Sequence, residues 1–176
     1  MKGQLPNPYI PKNAKIKMAE YISNPVQTVL PNQVVTLNTS IGCNKGYVYH
    51  RNGSGIITLR GIVNCPNACF ARYQVTFNGN IAIPDGGTAP APISVALALD
   101  GEPILTSRAI VTPADTALNP PTQENFFNVT STAIINVPKG CCFNVSVENT
   151  SEGADATTPA PAILVQNANV TVSRIA

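Results

Sequence analysis

Five cysteines are the residues of this chain best suited to chemistry, since a thiol can form a disulfide, bind a metal or stay free. They are Cys43, Cys65, Cys69, Cys141 and Cys142. A Cys-x3-Cys pair followed by a distant vicinal pair is not the usual spacing of a zinc site, so a metal site is the least favoured of the three. Disulfides and reduced structural thiols both stay open, and the odd number leaves at least one thiol without an intramolecular partner.

The other polar residues give no support for catalysis. His50 is the single histidine, and no nucleophile motif accompanies it, which favours a packing or surface role. Asp100 and Glu102 fall in an Asp-Gly-Glu-Pro turn and Asp85 in a Pro-Asp-Gly turn, where such residues shape the backbone. No two carboxylates share a strand face at a spacing suited to acid–base work. We therefore expect no enzymatic activity and no cofactor.

The segments that must position these residues alternate between apolar and polar side chains. A period of two is typical of strands with one buried face and one wetted face. Asn52-Gly53 separates two such segments and predicts a hairpin with a type I′ turn. The evenly spaced turns predict an all-β, ten-stranded two-sheet jelly roll. The expected strands lie at 26–29, 33–38, 47–51, 55–63, 71–80, 93–100, 104–112, 129–137, 142–149 and 162–175.

This strand order also predicts where the cysteines lie. Consecutive antiparallel strands put alternate connections at the same end of a sandwich. Cys65 and Cys69 follow one strand, and the vicinal pair sits in the turn at 138–142, which is expected at the same end. The chain enters strand 47–51 just after Cys43, again from that end. All five cysteines are therefore expected to cluster at one end of the domain.

Charge is scarce in the chain and concentrated at its start. Charged residues make up 11% of the sequence, well below the roughly 25% of ordinary soluble domains. A surface so poor in charge is typical of subunits that bury surface against partners, so we expect an oligomer.

Residues 1–24 are basic, contain several prolines and show no periodic pattern, so we interpret them as an extended arm and residues 25–176 as the domain. Lysines without arginine or interleaved aromatics make nucleic-acid binding unexpected. No apolar run is long enough for a signal peptide or a membrane span. The lysines that we expect to anchor the arm to another subunit or an acidic surface are Lys2, Lys12, Lys15 and Lys17.

Four segments carry a resemblance to a known family. VQTVLPNQVVTL at 26–37 resembles the opening strands of bacterial TNF/C1q-like domains, which include the C-terminal domain of collagen-like spore-surface glycoproteins. GSGIITLRG at 53–61, ALDGEP at 98–103 and VPKGCC at 137–142 resemble small proteins from prophages of gut Firmicutes. The resemblance covers residues 19–176, and because it consists of strand and turn motifs it indicates fold more directly than function.

The resemblance implies a TNF/C1q-like jelly roll that assembles as a homotrimer. In a phage it implies a structural virion protein, a capsid decoration or head-fibre protein that is assembled in the bacterial cytoplasm. Such a protein is displayed on the virion surface and attaches to shell proteins through its N-terminal arm. A reducing cytoplasm favours reduced cysteines. No Gly-X-Y stalk precedes the domain, which distinguishes the chain from spore-filament tips.

The alternative interpretation is a receptor- or glycan-binding tip module of a phage or bacterial surface appendage. Its binding surface would be formed by the loops at 81–92, 113–128 and 150–161. These loops are rich in Ala, Pro and Thr and poor in residues that anchor a ligand by hydrogen bonds. The sequence therefore favours the structural role.

Overall fold

The computed structural model describes residues 18–41, 46–63, 69–84, 92–113 and 126–175. These residues form strands and turns, with a 3-10 turn at Leu105–Ser107 and no α-helix among them. None of them belongs to a helix long and apolar enough to cross a membrane. The strands are β1 (Met18–Ser23), β2 (Gln27–Val29), β3 (Thr39–Ile41), β4 (Val48–His50), β5 (Ile57–Arg60), β6 (Phe70–Ala82), β7 (Ile93–Leu99), β8 (Glu102–Pro103), β9 (Ala109–Val111), β10 (Phe127–Pro138), β11 (Cys142–Asn149) and β12 (Ile163–Arg174).

Sheet A has the strand order β10-β6-β12-β1-β3, and β2 also pairs with β12. All of its pairs are antiparallel. The longest pair joins β6 to β10, where buried and outward positions alternate along most of both strands and one face is kept for the core. β12 contains a register shift between Gln166 and Asn169, which bends the strand near one end of the sheet.

Sheet B has the strand order β4-β5-β11-β7-β8, and β9 also pairs with β7. Its pairs are antiparallel as well. β7 is buried on both faces from Ile93 to Ala98. The sequence of β7 alternates large and small residues. Ile93, Val95 and Leu97 face the core, and the small Ser94, Ala96 and Ala98 occupy the opposite face.

The two sheets pack face to face around one hydrophobic core. Tyr21, Tyr73 and Phe77 are the largest side chains that are fully buried in it. The Tyr73 hydroxyl lies 2.5 Å from the carbonyl oxygen of Arg60 and 3.1 Å from that of Tyr47, so the buried phenol keeps hydrogen-bond acceptors. Burial raises the pKa of Tyr21 and of Tyr73 above the usual value for tyrosine. The predicted all-β, two-sheet jelly roll is confirmed.

The first strand corrects the predicted boundary between arm and domain. The predicted arm includes residues 18–24, but Met18–Ser23 forms β1 between β12 and β3. Ala19 and Tyr21 of this strand are buried in the core. The short alternation Met-Ala-Glu-Tyr-Ile-Ser was overlooked because its outward residue Glu20 continues the charged composition of the preceding stretch. The boundary at residue 24 is therefore too late.

Two predicted strands are mostly irregular. Residues 33–38 join their neighbours only through isolated bridges, Val34 to Glu148 and Leu37 to Ser54. Within 104–112, only Ala109–Val111 forms a strand, preceded by the 3-10 turn. The Ser107 hydroxyl causes this break, because it accepts a hydrogen bond from the Leu97 N–H (3.0 Å) in place of a backbone carbonyl.

The hairpin at Asn52-Gly53 is present, because β4 and β5 pair as neighbours. Its turn is not type I′, since Gly53 alone of the two central residues has a positive φ, 82°. The Gly53 N–H donates to the carbonyl oxygen of Leu37 (2.8 Å). The turn is therefore shaped by a segment outside the hairpin, which a local motif does not reveal.

Candidate functional site

Three of the five cysteines meet at one end of the sandwich, which we call the cysteine end. The carbonyl oxygen of Cys69 accepts a hydrogen bond from the Lys139 N–H (2.9 Å), and the carbonyl oxygen of Cys141 accepts one from the Gly61 N–H (2.8 Å). Cys142 begins β11. A Cβ at Gly61 would collide with the carbonyl oxygen of Pro138, so this close approach requires glycine.

The thiols of Cys69, Cys141 and Cys142 are free and exposed. No group of three or more His, Cys, Asp or Glu residues in the described part of the chain is placed to hold a metal ion. The arrangement supplies accessible surface thiols rather than a closed site. The remaining predicted site residues lie outside the described residues: Cys43, Cys65, Lys2, Lys12, Lys15 and Lys17.

His50 is a packing residue. It is buried, and its Nε2 lies 3.0 Å from the carbonyl oxygen of Ser54. A carbonyl only accepts, so Nε2 carries a proton. Nδ1 lies 3.1 Å from the Ser40 hydroxyl, and the ring centroid is 4.6 Å from that of Tyr21. Both ring nitrogens are thus engaged, and the imidazole is not presented to a substrate.

Two carboxylates line a groove of about 330 Å³ on the outer side of sheet B. Asp100 accepts a hydrogen bond from the Asn144 N–H (2.8 Å) and has φ 50°, which fits the predicted tight turn. Glu148 is buried and accepts a hydrogen bond from the Ser146 hydroxyl (2.8 Å). These contacts give both carboxylates a structural role.

The outward side of sheet A is a broad and nearly uncharged surface, which we call the polar face. The strand register aligns its side chains in rows; beyond the row of Asn136 and Arg72, which lies nearest the cysteine end, Glu20 is the only charged member of the rows that follow. From the cysteine end they are Ile134, Gln74, Ser173 and Met18; then Thr132, Thr76, Thr171, Glu20 and Ile41; then Thr130, Asn78, Asn169, Ile22 and Thr39; and last Asn128, Asn80 and Gln166.

Hydrogen bonds between neighbouring strands pair many of these polar groups. Asn78 Nδ2 donates to Thr130 Oγ1 (2.9 Å), and Thr132 Oγ1 donates to Thr76 Oγ1 (3.2 Å). Groups that are already paired lose little when water is removed from them. The polar face therefore suits contact with another protein surface, even though most of its side chains are polar.

β10 forms an edge of sheet A. Among the described residues it pairs only with β6, so the other side of this 12-residue strand offers free backbone groups. Its sequence contains no charged residue, and proline occurs only at its last position. Long edge strands without charges or bulges are sites of association unless something covers them.

A cleft of about 330 Å³ lies at the end of the polar face away from the cysteines, and we call it the amide cleft. Asn128, Asn80 and Gln166 form the last row of the face, and Phe126 and Asn167 complete the lining. The register shift in β12 places Asn167 here, in the left-handed region with φ 52°. Sequence analysis missed this cleft, because its signal is spread over three strands as outward Asn and Gln residues.

Neither a protein-family model nor a curated protein sequence matches this chain. The fold does match solved structures. The globular domain of zebrafish complement 1qA superposes with a TM-score of 0.52 at 12% identity, covering 92% of this chain and 98% of that domain. The described geometry is therefore that of a C1q-like jelly-roll domain, and the likeness concerns the fold alone.

Two further similarities are weaker. The PRD1 vertex protein P5 gives a TM-score of 0.38 at 12% identity, covering 92% of this chain and 99% of that one. The sugar-binding C-terminal domain of EclA gives a TM-score of 0.30 at 18% identity, covering 69% of this chain and 81% of that one. At these TM-scores neither similarity carries an argument about this chain.

Proposed function

We propose that this chain is a structural virion protein: a homotrimeric jelly-roll module that serves as a capsid decoration or head-fibre protein. It attaches to a phage or phage-like particle through its N-terminal residues. The observation that carries the proposal is the polar face, which has few charges, joined to the open edge of β10. A monomer in solution gains nothing from such a surface and risks aggregation through it.

The row that runs from Ile134 to Met18 supplies the apolar part of the contact. Met18 and Ile134 stand at the two ends of this row and are 55% and 54% exposed. Covering apolar surface stabilises an assembly by roughly 25 cal/mol per Å². The Thr and Asn side chains around this row are already hydrogen-bonded to each other, so they can pack against a partner without the desolvation cost of charges. A trimer closes when one subunit's β10 edge packs against the polar face of the next.

Light scattering on the full chain and on two matched variants tests the assembly. We expect a trimer for the unmodified chain and for Ile56→Asp, because Ile56 is exposed (48%) outside sheet A, beside the groove on the outer side of sheet B. Ile134→Asp places a charge in the proposed contact and is expected to yield monomers. A monomeric unmodified chain, or a trimer that tolerates Ile134→Asp, would contradict the proposed interface.

The attachment is expected at the cysteine end. β1 starts there, because Met18 pairs with Ser173 next to the Tyr73–Arg174 pair. Residues 1–17 contain Lys2, Lys12, Lys15 and Lys17 and no acidic residue. Removing residues up to 20 would damage β1, so neutralising these lysines is the cleaner test.

The test replaces all four lysines by glutamine in the full chain. Co-sedimentation with particles from the organism that encodes the chain measures attachment, and light scattering checks that the oligomer is intact. We expect the oligomer to persist and the attachment to fall. Undiminished co-sedimentation would show that the lysines are not the anchor.

A further inference from the structure

We propose that the amide cleft binds a neutral oligosaccharide. The site lies in the last row of the polar face, away from the exposed Met18 and Ile134 that supply the apolar part of the proposed contact. Asn80, Phe126, Asn128, Gln166 and Asn167 line it, and none of these carries a charge. Its volume of about 330 Å³ falls within the range of small-molecule sites, roughly 300–1,000 Å³.

The amide groups match the hydrogen bonding of sugar hydroxyls. Each amide offers two N–H donors and a carbonyl acceptor, and each hydroxyl both donates and accepts. Asn128 Nδ2 donates to Asn80 Oδ1 (3.0 Å), which fixes the orientation of both side chains. The side chains of Gln166 and Asn167 make no hydrogen bond with any described residue, so their groups are available to a ligand.

The shape of the cleft matches a short chain of sugars. Neighbouring strands lie about 4.8 Å apart, so the row from Asn128 through Asn80 to Gln166 spans about 10 Å. Phe126 is partly exposed beside this row. The slightly positive C–H groups of a pyranose ring pack on the negative face of an aromatic ring. One aromatic platform beside several amides therefore accommodates more than one sugar unit.

The lining also selects against charged ligands. Phosphates, sulfates and uronic acids need Lys or Arg, and amines need a carboxylate. Neither occurs among the described residues that line the cleft. A peptide strand would be recognised at a sheet edge through backbone hydrogen bonds, whereas this cleft is built on a sheet face. Neutral glycans fit this uncharged, amide-rich lining, and they are the ligand class of the proposal.

The position of the cleft suits a ligand outside a particle. It lies at the end of sheet A opposite to Met18, where residues 1–17 join the sandwich. If these residues hold the chain to a particle, the amide cleft faces away from it. The proposal itself does not depend on that attachment or on the trimer.

NMR spectra of the isotope-labelled full chain test the proposal with named probes. The neutral probes are cellotetraose, xylotetraose, maltotetraose, chitotetraose and lacto-N-tetraose, and tetragalacturonate is the charged probe. We expect at least one neutral probe, at millimolar concentration, to shift the side-chain amide signals of Asn80, Asn128, Gln166 and Asn167. Tetragalacturonate should leave these signals unchanged. Cleft signals that no neutral probe shifts, or that tetragalacturonate shifts as strongly, would overturn the proposal.

Substitutions separate the cleft from the rest of the polar face. Phe126→Ala and Gln166→Ala should each weaken binding by about tenfold or more, while Phe126→Tyr should keep it. Gln74→Ala is the matched control, because Gln74 lies on the same face near the cysteine end. Unchanged affinity in Phe126→Ala would also overturn the proposal. Light scattering on the same samples reports the trimer separately, so the two proposals fail independently.

Discussion

Asn149 should be one of the most sensitive positions in the domain, because its side chain joins three backbone segments. Its Nδ2 donates to the carbonyl oxygens of Val29 and Pro161, both at 3.0 Å, and its Oδ1 accepts from the Ser151 N–H at 3.0 Å. Val29 ends β2, Pro161 precedes β12 and Ser151 follows β11. One fully buried amide therefore holds sheet A to sheet B.

The structure sets the size of the expected effect. Asn149→Ala leaves two carbonyls and one N–H without this partner. Each buried polar group that loses its partner costs about 1–3 kcal/mol, and partial relaxation limits the sum to about 3–5 kcal/mol. A loss of that size lowers the melting temperature of a domain this large by roughly 6–20 °C. Asn149→Asp should cost at least as much, because it turns a carboxyl oxygen toward two carbonyl oxygens.

Urea and thermal denaturation followed by circular dichroism measure the effect, at one protein concentration for all variants. Asn136→Ala is the control, since Asn136 is exposed and only accepts a hydrogen bond from Arg72 Nε (3.0 Å). The control should change the free energy of unfolding by less than about 0.5 kcal/mol. If Asn149→Ala is as mild as the control, or if Asn149→Asp is milder than Asn149→Ala, the reasoning is wrong.

Three more predictions rest on single sites. Hydrogen bonds, first from the Thr157 hydroxyl and N–H and then from those of Thr158, lower the pKa of Asp155 to about 2. The ionised carboxylate therefore stabilises the loop fully above pH 3.8, and this stabilisation is lost as the pH falls through about 2. Thr157→Val removes one of the hydrogen bonds and should raise the pKa of Asp155, as measured by an NMR titration of its carboxyl group. Iodoacetamide should label Cys69 and the vicinal pair in the native chain without reductant, and protection of these thiols would indicate disulfides instead. Tyr73→Phe leaves two carbonyl oxygens without the phenol and should lower the free energy of unfolding by about 1–2 kcal/mol in urea; no measurable change would refute the role of that hydroxyl.

The sequence predicted best where local alternation and tertiary burial agree. Buried and outward positions alternate along most of β6 and β10, and most of the buried positions are apolar, with buried Ser131 and exposed Ile134 as exceptions in β10. The sequence predicts the turn at Asp100-Gly101 because an Asp-Gly dipeptide tolerates the positive φ that both residues adopt. The vicinal cysteines and Cys69 meet because strand alternation fixes which connections share an end.

The errors arise where distant partners decide the local structure. Residues 33–38 alternate like a strand, yet they form only isolated bridges, because their two partners, Glu148 and Ser54, belong to different parts of the chain. The amide cleft depends on a register shift in β12, and the sequence contains no turn residue that predicts this shift. Glu148 is outward on β11 and still buried, which its sequence position does not indicate. These features arise only when the strands assemble into sheets, so the pattern of a single sequence does not predict them.

The polar face changes character along its length, and this change bears on how assembly and ligand binding coexist. The row near the cysteine end that runs from Ile134 to Met18 has both of these apolar side chains exposed, whereas the last row consists of amides only. Packing between subunits gains most from the apolar row, and a sugar gains most from the amide row. The apolar contact and the amide cleft therefore centre on different rows of the face, although Asn128 of the cleft lies on β10, whose edge enters the proposed trimer. A trimer that packs through the apolar row would hold three amide clefts in fixed relation, and a glycan-coated surface that engages several of them would be held far more tightly than one cleft allows.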